Sequence, residues 1–157
     1  LTAVSDNAEN VIAAEPGETF SYGEMTVEIF APLHDYDDLN DMSAVTRVSY
    51  GDTSVMFMGD ASATVEKDLL RKNVDYSATI LNVGHHGSKT SSSDAFVKAV
   101  APKAATISCA AGNQYKFPHE PTLKTLQKYN VEVYRTDRNG VITITTDGSS
   151  YSIEKEH

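Results

Sequence analysis

Two short apolar runs, each ended by a glycine, constrain the fold of this chain most strongly. Residues 78–83 are typical of a buried strand, and His85 and His86 follow directly after its terminal glycine. Residues 55–58 form a similar run, with Asp60 just after its terminal glycine. Because open α/β sheets place ligands beyond the carboxyl ends of their strands, this pattern predicts a site on one edge of a sheet.

The composition narrows the classes of function that this chain can have. Its formal net charge of −9 over 157 residues argues against broad electrostatic binding of nucleic acid, which usually needs a basic face. A nuclease remains compatible with this charge, since a bound metal ion inverts the local field of an acidic site. A single cysteine, Cys109, excludes a disulfide framework and a cysteine-rich zinc site. The length predicts one domain, residues 1–157.

Alternating hydrophobicity and turn residues predict hairpins at both ends of the chain and alternating strands and helices in the middle. The predicted hairpins are 19–30, 44–58 and 141–154, the predicted helices are 61–72, 94–101 and 122–129, and the remaining predicted strands are 78–83, 104–109 and 132–135. This order is typical of an α/β fold with a mixed β-sheet and flanking helices.

Asp60, His85 and His86 are the strongest candidate site residues, although each has a structural alternative. Asp60 lies between a predicted strand and a predicted helix, where an aspartate often caps the helix. Two adjacent histidines between glycines are poor choices for a core, but one of them could simply hydrogen-bond the backbone. Taken together, a carboxylate and an imidazole suit a borderline cation such as zinc or manganese.

The weaker candidates lie in loops. Ser88 opens a segment rich in serine and threonine, residues 88–93, which could hold a phosphate or could make ordinary turns and caps. His119 could contact substrate or support a ligand, and surface exposure is equally compatible with its position. The aspartates of residues 34–41 lack the spacing of a calcium loop, and we expect them to form a solvated face.

The order and spacing of several short motifs carry a resemblance over residues 17–150. These motifs are Asn40-Asp41 with Ser43, Phe57-Met58-Gly59-Asp60, Val83-Gly84-His85-His86-Gly87-Ser88 with Thr90-Ser91-Ser92, Gly112-Asn113 with Tyr115 and Pro118, and Tyr134-Arg135-Thr136-Asp137 with Gly140. In this series the chain resembles the metallo-β-lactamase-fold domain of ComEC-type DNA-uptake competence proteins.

The resemblance implies a two-metal hydrolase built on an αββα sandwich. The family's bridging carboxylate corresponds to Asp60, and its later histidine ligand corresponds to the pair His85 and His86. His86 is favoured because it directly precedes the glycine, which leaves His85 to contact substrate. Ser88 and His119 are further candidates for contacts to the substrate or to the ligands. Two divalent ions, zinc or manganese, would activate a bridging water and clamp the oxygens of a phosphoester.

The resemblance also implies that part of the metal site is missing from this sequence. The family's His-x-His-x-Asp-His motif is absent, and no other histidine cluster replaces it. We therefore expect this chain to be the C-terminal half of the sandwich, inactive by itself, with the N-terminal half-domain as its partner. A half-sandwich exposes an apolar sheet face, so self-association through that face is an alternative.

These implications predict a metal-dependent phosphoester hydrolase. DNA is the expected substrate, because competence-type relatives are associated with degrading one strand of incoming DNA. A small phosphoester hydrolase similar to phosphorylcholine esterases is the enzymatic alternative, and a non-catalytic structural or interaction half-domain is the alternative from another class. The resemblance implies an extracytoplasmic location, either attached to a membrane or secreted.

Overall fold

The computed structural model describes residues 13–157, and a mixed β-sheet is the centre of the fold. Within these residues, seven strands form the sheet in the order of the chain. They are β1 (Thr19–Tyr22), β2 (Met25–Ala31), β3 (Val45–Tyr50), β4 (Thr53–Phe57), β5 (Ile80–Asn82), β6 (Ala104–Ile107) and β7 (Glu132–Arg135). The first four strands are antiparallel, and β4 to β7 run parallel. The carboxyl ends of β4 to β7 therefore meet at one edge of the sheet.

Helices connect the parallel strands and cover one face of the sheet. They are α1 (Ala63–Leu70), α2 (Asp94–Val100) and α3 (Glu120–Lys128), followed after β7 by the short α4 (Thr136–Asn139). Sequential parallel strands joined by right-handed crossovers place their helices on the same side, and α2 accordingly packs against both α1 and α3. Ser62 caps α1 by accepting a hydrogen bond from Thr64 N–H at 3.1 Å, so Asp60 does not serve as the cap.

The hydrophobic core lies between these helices and the sheet. Met56, Leu81, Ala105 and Val133 are register partners across the four parallel strands. They belong to one cluster with helix side chains that are almost fully buried, namely Val65, Leu69, Phe96, Val97, Val100 and Leu126. Burial of each large apolar side chain contributes about 1.5–3 kcal/mol, which holds the strand ends in fixed positions.

A separate hairpin starts a second layer on the opposite face of the sheet. It comprises β8 (Ile142–Thr146) and β9 (Tyr151–Lys155). Its turn lies against the β3–β4 turn, where Asp52 N–H donates to the Gly148 carbonyl. Thr146 lines the same concave surface as Val48 and Val55, which alternate with the core-facing positions of their strands. This arrangement agrees with a sandwich whose second sheet is only begun within residues 13–157.

The predicted α/β fold, a mixed sheet with flanking helices, is confirmed. The last long helix begins at Glu120 rather than at residue 122, because its first turn accommodates Pro121. The domain boundary at 1–157 and the assignment to a C-terminal half remain predictions. Within residues 13–157, no helix combines the length and the apolar composition needed to cross a bilayer.

Candidate functional site

Asp60 lies just after β4, at the edge where the parallel strands end. The chain turns at Gly59, which has a φ of +54° and where a Cβ atom would lie 2.8 Å from Ser43 Cβ. Only glycine fits such a position without strain. Asp60 N–H donates to Ser43 Oγ at 3.0 Å. The backbone of Asp60 is thus fixed, while its half-exposed carboxylate lines a cavity.

The loop that fixes Asp60 contains a helical turn, Leu39–Met42. Asp41 in this turn is buried, and its carboxylate accepts a hydrogen bond from Ser62 N–H at 2.9 Å. The expected solvated face is therefore wrong for Asp41, because its carboxylate pairs with the backbone just before α1 instead of with water. Asn40 lines the same cavity as Asp60, so this turn both supports the site and contributes to its wall.

The turn after β5 holds His85 and His86 in a strained backbone conformation. Their φ angles are +50° and +54°, in the left-handed region that costs roughly 1–2 kcal/mol for each residue other than glycine. His85 N–H donates to the Gly59 carbonyl at 2.9 Å and ties this turn to the end of β4. Strain of this kind clusters at functional sites, where the surrounding structure enforces it.

His86 presents an unprotonated ring nitrogen to Asp60 in its neutral form. Its Nδ1 lies 2.8 Å from the Ser108 carbonyl, which can only accept a hydrogen bond, so Nδ1 carries the proton. Its Nε2 lies 3.6 Å from Asp60 Oδ1. Two atoms that each lie about 2.1 Å from one tetrahedral zinc ion are about 3.4 Å apart. The spacing therefore fits two ligands of a single cation, with the Ser108 carbonyl fixing the ring.

His85 contributes a buried ring nitrogen that is left unsatisfied. Its Nδ1 is buried and has no hydrogen-bond partner among residues 13–157. A buried polar atom without a partner costs about 1–3 kcal/mol, and in native structures such an atom is explained by strain, a catalytic role, a bound ion or an ordered water. The ring of His85 also lines the cavity. Both histidines therefore remain available to a ligand, but His86 is the one that lies within ion-pair distance of Asp60.

The cavity between these groups is open and has a volume of about 720 Å³. This is within the range of small-molecule and cofactor sites. It is lined by Asn40, Asp60, His85, His86, Ser108, Cys109, Ala110, Asn113, Tyr115 and Phe117. The ends of β4, β5 and β6 thus line one cavity; the sequence pattern predicts this meeting for β4 and β5 but not the contribution of β6.

The residues present fit part of a metal site. In the part of the chain that the structure describes, no group of three or more histidine, cysteine, aspartate or glutamate side chains is placed to hold a metal ion. Catalytic zinc sites typically use three protein ligands. Asp60 and His86 supply two donors of the right chemistry and spacing, fewer than such a site typically uses.

Comparison with known families agrees with this geometry. The family model of the metallo-beta-lactamase superfamily matches residues 9–111. This chain belongs to the metallo-β-lactamase superfamily. The matched region contains both strand ends that carry Asp60 and the two histidines. It ends at residue 111, between the cavity-lining residues Ala110 and Asn113.

Curated relatives place this chain with competence proteins of the ComEC type, which confirms the resemblance. ComE operon protein 3 of Bacillus subtilis (strain 168) is 30% identical over 143 residues, which are 90% of this chain and 18% of the relative. Competence protein ComA of Neisseria gonorrhoeae is 35% identical over 106 residues, 67% of this chain and 15% of the relative. Recombination protein 2 of Haemophilus influenzae (strain ATCC 51907 / DSM 11121 / KW20 / Rd) is 37% identical over 107 residues, which are 67% of this chain and 13% of the relative. The chain therefore spans less than a fifth of the length of these relatives.

Ser88, a predicted substrate contact, is buried and lies outside the lining of the cavity. Its Oγ lies 2.8 Å from Thr90 Oγ1 and accepts a hydrogen bond from Thr90 N–H. The N–H groups of Ser92 and Ser93 donate to the buried carboxylate of Glu66, whose pKa is raised by burial. The polar groups of the serine-rich segment, residues 88–93, thus form hydrogen bonds within turns and to Glu66 of α1.

His119, the other predicted contact, also lies outside the cavity lining. Its hydrogen bonds stabilise the loop that carries Tyr115 and Phe117, which do line the cavity. Its Nδ1 accepts a hydrogen bond from Lys89 N–H at 3.0 Å, so Nε2 carries the proton and donates to the Tyr115 carbonyl at 3.1 Å. Next to it, a Cβ atom at Gly87 would lie 2.5 Å from Pro118 Cβ. The loop is therefore packed closely against the histidine turn.

Sequence reasoning missed the role of this loop in the cavity wall. The Asn113 side chain donates to the carbonyls of Ala110 and Phe117 at 2.9 and 2.8 Å and accepts from Phe117 N–H at 2.9 Å. These three bonds close the loop and present Tyr115 and Phe117 to the cavity. The motif Gly112-Asn113 with Tyr115 was the available signal, but its spacing alone assigns no role to these side chains.

Arg135 and Asp137 form a structural pair at the end of β7. Arg135 donates to both carboxylate oxygens of Asp137, at 2.9 and 2.6 Å, and both side chains are largely buried. These hydrogen bonds hold the pKa of Asp137 below its usual range. Cys109 Sγ lies 3.3 Å from Asp137 Oδ1, so the pair supports the cavity wall from behind.

Proposed function

We propose that Asp60 and His86 are ligands in a divalent metal site that hydrolyses phosphoesters, with DNA as substrate. The observation that carries this proposal is the approach of His86 Nε2, the nitrogen without a proton in the neutral ring, to Asp60 Oδ1 at 3.6 Å within one cavity. Two electron-rich atoms that face each other at this distance are stabilised by a cation between them. Membership of the metallo-β-lactamase superfamily supports the same chemistry.

In the proposed site, residues of this chain bind the metal and hold its ligands in position. Asp60 and His86 hold metal, Ser43 fixes the backbone of Asp60, and the Ser108 carbonyl fixes the ring of His86. The ring of His85 is left to contact substrate. A pair of zinc or manganese ions, when bound, supplies an activated water and neutralises charge on the phosphoester oxygens. The mixed carboxylate and imidazole set suits either metal.

The remaining ligands are proposed to come from a segment outside residues 13–157, on an N-terminal half-domain with the family's histidine motif. The two-ligand character of the site supports this, as does the hairpin that only begins a second layer. A second copy of the chain, docked through the open sheet face, is the competing source. By its ComEC-type relatives we propose an extracytoplasmic location for the assembled protein.

DNA is favoured as substrate because the relatives include competence proteins and a recombination protein by name. The net charge of −9 favours a small phosphoester such as a phosphocholine ester as the second candidate, since extended contact with a polyanion needs cationic surface. A bound metal ion offsets the repulsion between this acidic chain and DNA only for the few phosphates closest to the ion.

The test uses the natural full-length protein that carries this chain. Single-stranded DNA, duplex DNA and a phosphocholine ester are incubated side by side with manganese or with zinc, and with a chelator as the blank. We expect metal-dependent cleavage of DNA that is lost in Asp60→Ala and kept in Asp37→Ala, a matched change of an exposed aspartate. Cleavage of the phosphocholine ester alone would replace DNA by the second candidate. Activity that survives in Asp60→Ala would exclude its role as a ligand.

A further inference from the structure

Two aromatic side chains form an exposed stack on the wall of the candidate site. The rings of Tyr115 and Phe117 have centroids 5.4 Å apart and an interplanar angle of 20°. Phe117 is partly buried, whereas Tyr115 is 62% exposed. A large aromatic ring that is mostly in water gains little from its position in the fold, so the stack has surface available for a ligand.

The stack adjoins the candidate metal ligands directly. Phe117 lies between Tyr115 and the histidine turn, with its centroid 6.1 Å from the His86 ring at an angle of 31°. It makes an edge contact with His85 at 5.7 Å. All four rings line the same cavity. A group bound on Tyr115 would therefore lie in the same cavity as a phosphoester held near Asp60.

The loop that carries the stack is held in place before any ligand arrives. Asn113 closes the loop with three hydrogen bonds, and His119 donates to the Tyr115 carbonyl. Pro118 packs against Gly87 with no room for a side chain. A ligand that stacks here would pay little entropy for ordering the protein, which is the general advantage of preorganised sites.

The shape of the stack identifies the kind of group that it fits. Quaternary ammonium groups are bound in cages where several aromatic faces point inward. Here the rings of Tyr115 and Phe117 are nearly parallel, and the tilted rings of His85 and His86 contact Phe117 rather than Tyr115, so the exposed ring of Tyr115 offers a flat surface rather than a cage. Flat exposed aromatic surfaces beside a backbone-binding site are the means by which proteins hold the bases of single-stranded nucleic acids.

We propose that the Tyr115–Phe117 stack binds a nucleobase next to the phosphodiester held at the Asp60 and His86 site. The inference rests on the proposed function and adds to it a substrate class, single-stranded nucleic acid with an unpaired base at this position. Because every base has a flat face, the stack tolerates any sequence but requires that a base be present.

The test measures binding of non-hydrolysable single-stranded oligonucleotides to the natural full-length protein that carries this chain. One oligonucleotide carries the fluorescent base 2-aminopurine, and its partner has abasic residues instead. Tyr115→Ala removes the ring, Tyr115→Phe keeps it, and Tyr22→Ala is the control for an exposed tyrosine outside the cavity. Cleavage of unmodified DNA is measured in parallel.

We expect Tyr115→Ala to weaken binding of the base-containing oligonucleotide by about tenfold and to reduce the additional quenching of 2-aminopurine that accompanies binding to the wild type. Tyr115→Phe and Tyr22→Ala should each stay within about twofold of the wild type, since stacking needs only the ring. The abasic oligonucleotide should bind wild type and Tyr115→Ala equally. This last comparison separates stacking from a general loss of structure.

Each contrary result has a distinct meaning. Equal weakening of both oligonucleotides by Tyr115→Ala, or no weakening of either, would overturn the stacking role while DNA cleavage continues to support the proposed function. Binding of a phosphocholine ester to the same variants is measured as well. If Tyr115→Ala loses binding of this ester instead of binding of the oligonucleotide, the stack serves a quaternary ammonium group and the inference is overturned. Failure of the folded wild-type protein to cleave or bind any DNA would overturn the proposed function itself.

Discussion

Two carboxylates at the same edge of the sheet differ in a way that identifies the site. Asp137 follows β7 and accepts two hydrogen bonds from Arg135, with only 12% of its side chain exposed. Asp60 follows β4, is 41% exposed, and faces an imidazole nitrogen at 3.6 Å. Their positions at strand ends are alike, so position alone does not make a site. The difference lies in whether the carboxylate already has its partner.

The chemistry of the partner explains this difference. Arg135 is always charged and supplies donors in a fixed fork, so the pair with Asp137 is complete without any ligand. His86 in its neutral form turns a lone pair toward Asp60, because its proton is on the opposite nitrogen. Two acceptors need a proton or a metal ion between them. The first pair therefore stabilises the fold, and the second is suited to binding a cation.

The largest expected effect is that of Asp60→Ala on hydrolysis. Loss of the carboxylate proposed as a metal ligand should reduce kcat/KM by about 10³-fold or more, equivalent to about 4 kcal/mol of transition-state stabilisation. The free energy of unfolding should change by less than about 0.5 kcal/mol, because the side chain is half-exposed and makes no hydrogen bond within residues 13–157. Steady-state kinetics and urea unfolding measure the two quantities, with Asp37→Ala as the exposed control. A large loss of stability would show that Asp60, like Asp137, stabilises the fold, and would contradict the difference proposed between the two carboxylates.

The next largest effect separates the two histidines. His86→Ala should weaken manganese or zinc binding by more than about 100-fold, a larger loss than removal of an outer partner causes. His85→Ala should change metal affinity by less than about tenfold and act mainly on turnover, since it is the His86 ring that lies within ion-pair distance of Asp60. Isothermal titration with each metal measures the affinities in the natural full-length protein. The reverse order would make His85 the ligand.

Arg135→Ala should give the opposite pattern to Asp60→Ala. Breaking a buried ion pair costs about 3–5 kcal/mol, and the residual exposure of 14% and 12% for these side chains lowers the expected loss to about 2–3 kcal/mol. Metal affinity should stay within about twofold of the wild type, since neither residue lines the cavity. Chemical unfolding and metal titration of the same preparation test both statements. A loss of metal affinity without a loss of stability would refute the structural role.

Acid titration sharpens the same prediction. The pKa of Asp137 is lower in the folded protein than in the unfolded chain because Arg135 donates to its carboxylate. Its contribution to stability is therefore present above the unfolded pKa of about 3.9 and is lost as the pH falls toward the folded pKa. Below about pH 4 the wild type should lose stability more steeply than Arg135→Ala. Parallel acid curves would show that the pair contributes nothing to this limb.

The smallest expected effect is that of Ser43→Ala. It removes the acceptor for Asp60 N–H, which contributes about 0.5–1.5 kcal/mol as a typical hydrogen bond. Activity should fall only a few-fold, because Gly59 and His85 still fix the end of β4. Ser54→Ala, which removes an acceptor from β4 itself, is the matched control and should leave kcat/KM unchanged. If Ser43→Ala is as damaging as Asp60→Ala, the serine has a direct role in the site.

The sequence was sufficient for the elements and for the meeting of Asp60 with the histidines. Hydrophobic periodicity locates the strands, and parallel strands must bring their carboxyl ends to one edge. The sequence was insufficient where contacts between distant segments decide whether a side chain is buried. The burial of Asp41 depends on Ser62, which is 21 residues away.

The local conformation of the histidine turn was also beyond sequence reasoning. Residues other than glycine rarely adopt the left-handed region, and the enrichment of histidine there is too weak to predict it at both His85 and His86. The turn exists because contacts to Gly59 and Ser108 enforce it. Such contacts also decide which ring nitrogen faces Asp60, and hence which histidine is the better ligand.

The central claim is that Asp60 and His86 hold one cation, and anomalous diffraction tests it most directly. Crystals of the natural full-length protein that carries this chain would be grown with manganese or zinc, and data collected on both sides of the metal absorption edge. We predict an anomalous peak within about 2.0–2.2 Å of both Asp60 Oδ1 and His86 Nε2. An active protein whose metal peak lies away from this pair would contradict it.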